Sequence, residues 1–309
     1  MQRPRHPVLI VNPESGGGKV ERFGLVAECV ARGIEPVVFR RGDDLLGIAT
    51  TAVSAGADAI GVAGGDGTQA LVATVASEHD IPFICVPAGT RNHFAFDVGI
   101  DRDDVVGALD AFAQGTERLV DLARVNGRTF VNNASLGVYA RIVQSEEYRN
   151  AKLETVRRML PDLLPPRAKP FDLRFTAPDS TRWQGAQLVL VSNNPYRPPR
   201  PGVPGNRAGL QGGVLGVIAV RVVEPRELLP FMSTESTGAI PRFPGWLDFT
   251  TPTLTIGADA PVGVALDGEA IVLDPPLRFE SLPAALRVRV LTSRKQHNGV
   301  GARRPFTPS

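Results

Sequence analysis

The chain has 309 residues, 43% of them hydrophobic and 21% charged, with 32 glycines, 27 prolines and a formal net charge of +2. That length suits two domains, each able to bury a core, and the glycine and proline content implies many turns and a strand-rich portion. A nearly neutral balance argues against wholesale nucleic-acid binding, and no window approaches the roughly 20 apolar residues that a membrane span needs.

In chain order, the first ~120 residues alternate short apolar runs with helical patterns, as βαβ units around a parallel sheet do. Val8–Val11 reads as a first strand, too short an apolar run for a signal peptide, and a helix follows near Val20–Arg32. Pro36–Phe39 is a second strand, and Asp43–Ala55 a helix that Asp43 or Asp44 is placed to cap. Ala59–Ala63 and Phe83–Val86 read as buried strands with a helix, Thr68–Ser77, between them. A last helix is expected over Asp103–Gln114, capped from Asp101 or Asp103. Cys29 and Cys85 fall in apolar runs without CxxC or metal-ligand spacing, so buried free thiols are expected; the four scattered histidines make no zinc signature.

Beyond about Leu119 the texture becomes that of a β-sandwich. Runs rich in Val, Leu and Phe occur at Arg128–Val131, Phe171–Phe175, Gln187–Ser192, Leu215–Val223, Thr253–Ile256, Val262–Leu266, Leu277–Phe279 and Leu286–Leu291. A helical interlude over Arg141–Leu164 interrupts them, and Asn194–Arg207 is expected to be a loop whose Arg197, Arg200 and Arg207 are solvated rather than lipid-bound. The expected organisation is an α/β nucleotide-binding domain over residues 1–122, a β-sandwich substrate domain over 123–292, and a basic, disordered tail over 293–309.

Three polar turns follow predicted strands. Gly64-Gly65-Asp66-Gly67-Thr68 joins a strand to a helix, where backbone N–H groups and the helix N-terminus favour phosphate and a Cβ would block the approach. Thr68 is placed to cap that helix or bond a phosphate, while the carboxylate of Asp66 calls for a cation or a catalytic task. Val86–Asn92 and Asn12–Lys19 are the other two turns, and strand C-termini of an open α/β sheet line one crevice. Together they point to a nucleotide cleft. Gly65–Ala70 formally fits a dinucleotide fingerprint and Asn12–Lys19 suggests a Walker A loop, but both fail in detail: no acidic residue closes the next strand, and Pro13 and Val20 occupy required Gly and Ser/Thr positions. Far downstream, Leu266-Asp267-Gly268-Glu269 reads by itself as a plain hairpin turn.

NPESGGGK, GGDGT, PAGTRN and LDGE, in this order and spacing, resemble the diacylglycerol kinase catalytic family, related in fold to NAD kinases. The likeness runs from about Val8 to Leu291 and implies a Rossmann-like N-terminal domain, a C-terminal β-sandwich and an active cleft between them. It implies that Asn12, Pro13, Glu14, Ser15 and Gly16, with Gly65, Asp66, Gly67, Thr68 and Gln69 through Leu71, hold ATP, with Thr90 and Asn92 beside it. Glu269 takes the place of the catalytic carboxylate, Asp66 organises phosphate-bound Mg²⁺ or the acceptor hydroxyl, and Asp121 belongs to a water–metal network near the domain junction. Asn193-Asn194 is expected beside the cleft.

The resemblance further implies a cytoplasmic lipid kinase acting peripherally at the inner membrane face, with a lipid and a nucleotide as partners, no nucleic acid, and a homodimer as one assembly. The chain departs from the family pattern at His93, at Gln69–Leu71, at Arg40 or Arg41, and at Leu210–Val214, where the acid of a structural Mg²⁺ site is missing. His93 reads equally as a phosphate-facing base or a polar turn residue. Two alternatives stay open: a kinase for a soluble acceptor such as NAD or a polyol, and a catalytically weak nucleotide-binding regulator.

Overall fold

The computed structural model describes residues 3–137, 140, 171–196, 207, 209–221 and 245–291. The helix expected over 141–164, most of the proline-rich loop and the tail lie outside the described residues.

Four apolar runs form β1 (Pro7–Val11), β2 (Glu35–Val38), β3 (Ala59–Ala63) and β4 (Phe83–Val86), paired in parallel in the order β2-β1-β3-β4. β1, β3 and β4 are buried along their whole length, as strands covered on both faces must be. The helix expected over Val20–Arg32 is two helices, α1 (Lys19–Arg22) and α2 (Leu25–Ala31), because Gly24 between them is left-handed at φ 56. Asp44 caps α3 (Leu45–Ser54) by accepting the Gly47 N–H, while Asp43 accepts from Arg40 N. α4 (Asp66–Glu78) starts two residues earlier than the sequence suggested, with Gly65 as its N-cap; Thr68 therefore lies in the first turn and does not cap it. α5 (His93–Asp97) follows β4. The last expected helix is a 3₁₀ turn, Gly107–Asp110, running into the short α6 (Ala111–Gln114). Its first turn is capped by Asp104, which accepts from Gly107 N, whereas Asp101 accepts only from Asp103 N.

The strand-rich half adds β5 (Thr116–Val125), β6 (Arg128–Phe130), β7 (Asn133–Gly137), β8 (Arg174–Thr176), β9 (Arg182–Gln184), β10 (Leu188–Asn193), β11 (Leu215–Val220), β12 (Trp246–Thr251), β13 (Thr253–Ile256), β14 (Val262–Leu266), β15 (Glu269–Leu273) and β16 (Leu277–Val290). β12-β11-β10-β7-β14-β15 make a separate antiparallel sheet. β16 returns to the first sheet, parallel to β4, and β5 and β6 extend that sheet antiparallel to it. A division at residue 122 thus falls inside β5, and the first sheet crosses it in both directions.

Three cores follow. Two cover the faces of the βαβ sheet, one containing Val62, Phe83 and Phe94 and the other Leu9, Ile84 and Phe112. The third is the sandwich, in which Val125, Phe130 and Phe279 of the first sheet pack on Leu136, Val191 and Val217 of the second. Cys29 and Cys85 are free and buried, as expected, and burial pushes the Cys29 thiol up to about 11. Among the described residues no helix is long and apolar enough to cross a membrane.

Candidate active site

Parallel pairing of β1, β3 and β4 brings the turns that leave their C-terminal ends together. The packing leaves no room for side chains: a Cβ on Gly16 would strike the Ala88 carbonyl oxygen, and one on Gly89 would strike the Gly65 Cα. Asn12 shapes the first turn by accepting the Glu14 N–H at 3.0 Å, and its own N–H holds Ala63 O at 3.2 Å. Pro13, Glu14 and Ser15 carry the chain over this edge into the left-handed run Gly16-Gly17-Gly18. From the end of that run Lys19 extends its Nζ to Gly89 O at 3.3 Å, adding a cation where all three turns meet.

The middle turn opens α4, the longest helix described, so its unpaired N–H groups face the crevice. Asp66 turns toward α5, accepting the backbone N–H groups of His93 at 3.2 Å and Phe94 at 3.0 Å. His93 thus acts through its backbone, with its side chain exposed. Thr68 packs on Gly64, and Thr90 is exposed at the tip of the third turn. Two expected nucleotide contacts have another task. Gln69 is buried and donates to the carbonyls of Val62, Gly64 and Val86, tying the ends of β3 and β4 together. Asn92 is left-handed and buried, and closes its turn by donating to Pro87 O and Gly89 O. Among the described residues both leave a buried amide oxygen without a partner, Gln69 Oε1 and Asn92 Oδ1.

Glu269 reaches the same place from the opposite sheet. β14 and β15 are joined by Asp267-Gly268, both at positive φ (48 and 89), a two-residue hairpin turn with Leu266 paired to Glu269. Leu266-Asp267-Gly268-Glu269 is therefore the hairpin its sequence suggests, and its tip lies against α4: a Cβ on Gly67 would come within 2.8 Å of the Glu269 carboxyl carbon. A cavity of about 160 Å³ opens here, lined in part by Leu46, Leu71, Arg128 and Ile271 as well as Glu269.

Asp267 fixes the tip. Its carboxylate accepts the N–H groups of Val131 and Asn132 at 2.8 Å and Asn133 at 3.0 Å. Burial raises its pKa from 3.8 to about 7, with the three N–H donors pulling it down and the charge of Asp66 pushing it further up. Between those values the folded chain holds a proton that the unfolded chain has released, so this group makes stability fall as pH rises from about 4 to about 7. The loss is up to about 4 kcal/mol, level above that range. Asp267→Asn is expected to remove this slope from the urea midpoint measured against pH; an identical slope in the variant would contradict the assignment.

Arg207, expected to be solvated, is buried. It donates Nε to Asp97 Oδ2 at 2.7 Å, Nη1 to Val131 O and to Asn193 O at 3.1 Å, and Nη2 to Asn132 Oδ1 at 2.9 Å. It thereby joins the end of α5, whose first N–H groups hold Asp66, to the 131–133 segment that holds Asp267. Asp267, Lys19 and Arg207 are the residues missed by sequence reasoning. The first two lie in motifs already singled out, and nothing local marks the third.

Asp121, expected in a water–metal network, is engaged by hydrogen bonds at the domain junction. Its carboxylate accepts Ala284 N at 2.8 Å, Gly213 N at 2.7 Å and Asn194 Nδ2 at 3.0 Å, while Asn193 Nδ2 donates to its carbonyl at 2.7 Å. Among the described residues no three Asp, Glu, His or Cys side chains gather to hold a metal. Ala284 lies in the bulge where β16 shifts register against β5, so its N–H is free for this carboxylate. The 210–214 segment that lacks the acid is pinned to Asp121 by hydrogen bonds instead.

The family description "Diacylglycerol kinase catalytic domain" matches residues 6–125. A "Probable lipid kinase YegS-like" protein of Klebsiella pneumoniae is 32% identical over 241 residues, which is 74% of this chain and 76% of that protein. The chain belongs to the diacylglycerol kinase catalytic-domain family. A "Diacylglycerol kinase" of Mycobacterium tuberculosis is 28% identical over 319 residues, covering 93% of this chain and 97% of its own. A solved diacylglycerol kinase structure from Bacillus anthracis superposes with a TM-score of 0.65 at 18% identity, over 93% of this chain and 97% of that one, and so shares the two-part fold. This family membership places the chain among lipid kinases, and the four motifs that suggested it are the segments converging on the cleft.

Proposed function

We propose that this kinase transfers the γ-phosphoryl group of ATP to a hydroxyl of diacylglycerol or a related lipid, working peripherally at a membrane surface. The observation that carries the reading is the placement of the Glu269 carboxylate against Gly67 at the start of α4, beside three glycine-containing turns. Phosphoryl transfer needs positioning and charge neutralisation more than covalent chemistry. Backbone N–H groups at Gly65–Thr68 and the Lys19 ammonium supply positive potential where a phosphate chain would lie. Mg²⁺ arriving with ATP would neutralise phosphate charge in the region of Asp66, consistent with its habit of binding through one or two carboxylates and substrate phosphates.

In the proposed step the acceptor oxygen forms a bond to the γ-phosphorus as the bond from that phosphorus to the β,γ-bridging oxygen breaks. The acceptor proton passes to the Glu269 carboxylate and ADP departs with the electron pair. Asp66, anchored to α5, holds its carboxylate on the phosphate side of this arrangement.

The acceptor class is tested by offering γ-labelled ATP with Mg²⁺ to a total-lipid extract in mixed micelles and, separately, to NAD and polyols. Label entering the organic phase supports the reading; label on a soluble acceptor alone sinks it. Gly89→Ala tests the turns: a Cβ there forces Gly65 away, and nucleotide affinity by calorimetry is expected to fall about ten- to a hundredfold. Unchanged affinity would place the nucleotide elsewhere.

A further inference from the structure

At the opposite ends of the same strands, about 15 Å along the sheet from the cleft, lies a second polar cavity of about 370 Å³. It sits below the N-terminal ends of β1, β3 and β4, and four arginines line it: Arg3, Arg5, Arg287 and Arg289. Arg287 and Arg289 alternate along β16 and so share one face, opposite Leu119 and Glu117 of β5.

Three carboxylates face the same cavity, and each is already engaged. Glu117 accepts Arg287 Nε at 3.0 Å and Nη2 at 2.8 Å, and Asp80 lies 3.5 Å from Arg287 Nη1. Asp58 accepts the backbone N–H groups of Arg5 at 2.7 Å and His6 at 2.9 Å. Arg3 reaches only a carbonyl, Arg32 O at 3.0 Å.

Arg289 is the exception. It is 2% exposed, yet no carboxylate among the described residues pairs with it. Nη2 makes one long bond to Gly115 O at 3.3 Å, and the buried Nε has no partner among the described residues. A guanidinium stripped of water without a counter-charge is destabilising, and Arg presents a planar fork suited to two oxygens of one anion. Arg5, exposed at the mouth with no side-chain partner among the described residues, could close on the same anion from outside.

We propose that this cavity is a binding site for a phosphate-class anion, seated on Arg289 and covered by Arg5 and Arg3, and separate from the phosphoryl-transfer cleft. A phosphomonoester lipid headgroup and free inorganic phosphate share that chemistry.

The test is calorimetric titration of inorganic phosphate into the full-length protein, its Arg5→Ala and Arg289→Met variants, and Gly89→Ala, which disturbs the cleft turns and leaves this cavity alone. Arg5→Ala carries the test if Arg289→Met folds poorly, because the Arg5 side chain is exposed. Phosphate binding that survives in Gly89→Ala and weakens roughly tenfold or more in Arg5→Ala supports the site. Sedimentation with phosphatidylcholine vesicles, with and without phosphatidic acid, separates the sources. Vesicle binding that needs phosphatidic acid and is displaced by phosphate identifies a headgroup site; phosphate binding without vesicle binding identifies a free-anion site. No phosphate binding, or binding indifferent to both arginine replacements, overturns the proposal.

Discussion

Replacing Glu269 with glutamine is expected to lower kcat by about 10²–10⁴-fold while ATP binds as before, since a positioned general base contributes about that much. The split between kcat and nucleotide affinity follows from geometry. Glu269 reaches the cleft from β15 and the opposite sheet, whereas the turns proposed to hold phosphates belong to β1, β3 and β4. Glutamine keeps the length and the contact with Gly67 but cannot take a proton. Steady-state kinetics with a lipid acceptor, paired with calorimetric titration of nucleotide, separates the two quantities. A variant that retains most of its kcat would remove Glu269 from the chemistry and leave the hairpin a structural element.

The second large effect concerns Arg207. Arg207→Met should destabilise the folded chain by about 3–5 kcal/mol, because it strands a buried carboxylate and takes a donor from three further acceptors, of which Val131 O keeps the Asn193 amide. Asp97 has a side chain only 7% exposed and Arg207 one that is fully buried, so neither water nor salt would compensate the loss. With about 2.1 cal/mol/K of unfolding entropy per residue, a 309-residue chain loses about 1.5 °C of melting temperature per kcal/mol, which puts the expected drop at about 5–8 °C. Arg207→Met combined with Asp97→Asn should recover part of it, since the second change removes the stranded charge. Catalysis should suffer beyond stability: α5 carries the N–H groups on Asp66, and the 131–133 segment carries those on Asp267. Thermal melts of the single and double variants measure the coupling; a loss under about 1 kcal/mol would mean that the ion pair is not the joint.

These two residues mark the range of what was legible in the chain. β3 and β4 were read to the residue because AIGV and FICV are continuous apolar runs between turn signals, buried on both faces. The LDGE hairpin was legible twice over, as a two-residue turn and as a family motif, yet the turn chemistry drew attention from Asp267, whose carboxylate anchors it. β5, β7, β9, β12 and β15 went unread. They carry polar residues on alternate or solvent-facing positions, as in Trp246–Thr251, and their identity as strands rests on partners distant in sequence. β16 was read as two runs because Pro283 and the left-handed Ala284 interrupt its pattern, although the bulge they form keeps one strand going past Asp121.

Arg207 had no readable signal at all. Its partner Asp97 lies 110 residues away, and a Pro- and Arg-rich context suggests solvent. The departure at Gln69 proved structural: an amide can bridge three carbonyls at the ends of β3 and β4 where an aliphatic side chain could not. Asp121 shows the reverse case. A family position associated with metal is here satisfied by the N–H groups of Ala284 and Gly213 and the amide of Asn194, so the junction is held by hydrogen bonds from the segment that lost its acid.

The central claim is that a single cleft, closed by Glu269 over three glycine-containing turns, phosphorylates a lipid hydroxyl. Its most direct test is the organic-phase label formed from γ-labelled ATP, Mg²⁺ and purified diacylglycerol in micelles, with the native chain and Glu269→Gln run side by side. Linear accumulation of labelled phosphatidic acid by the native chain, nearly absent in the variant, is the predicted result. Nucleotide that binds the native chain while no label ever reaches the lipid would contradict it.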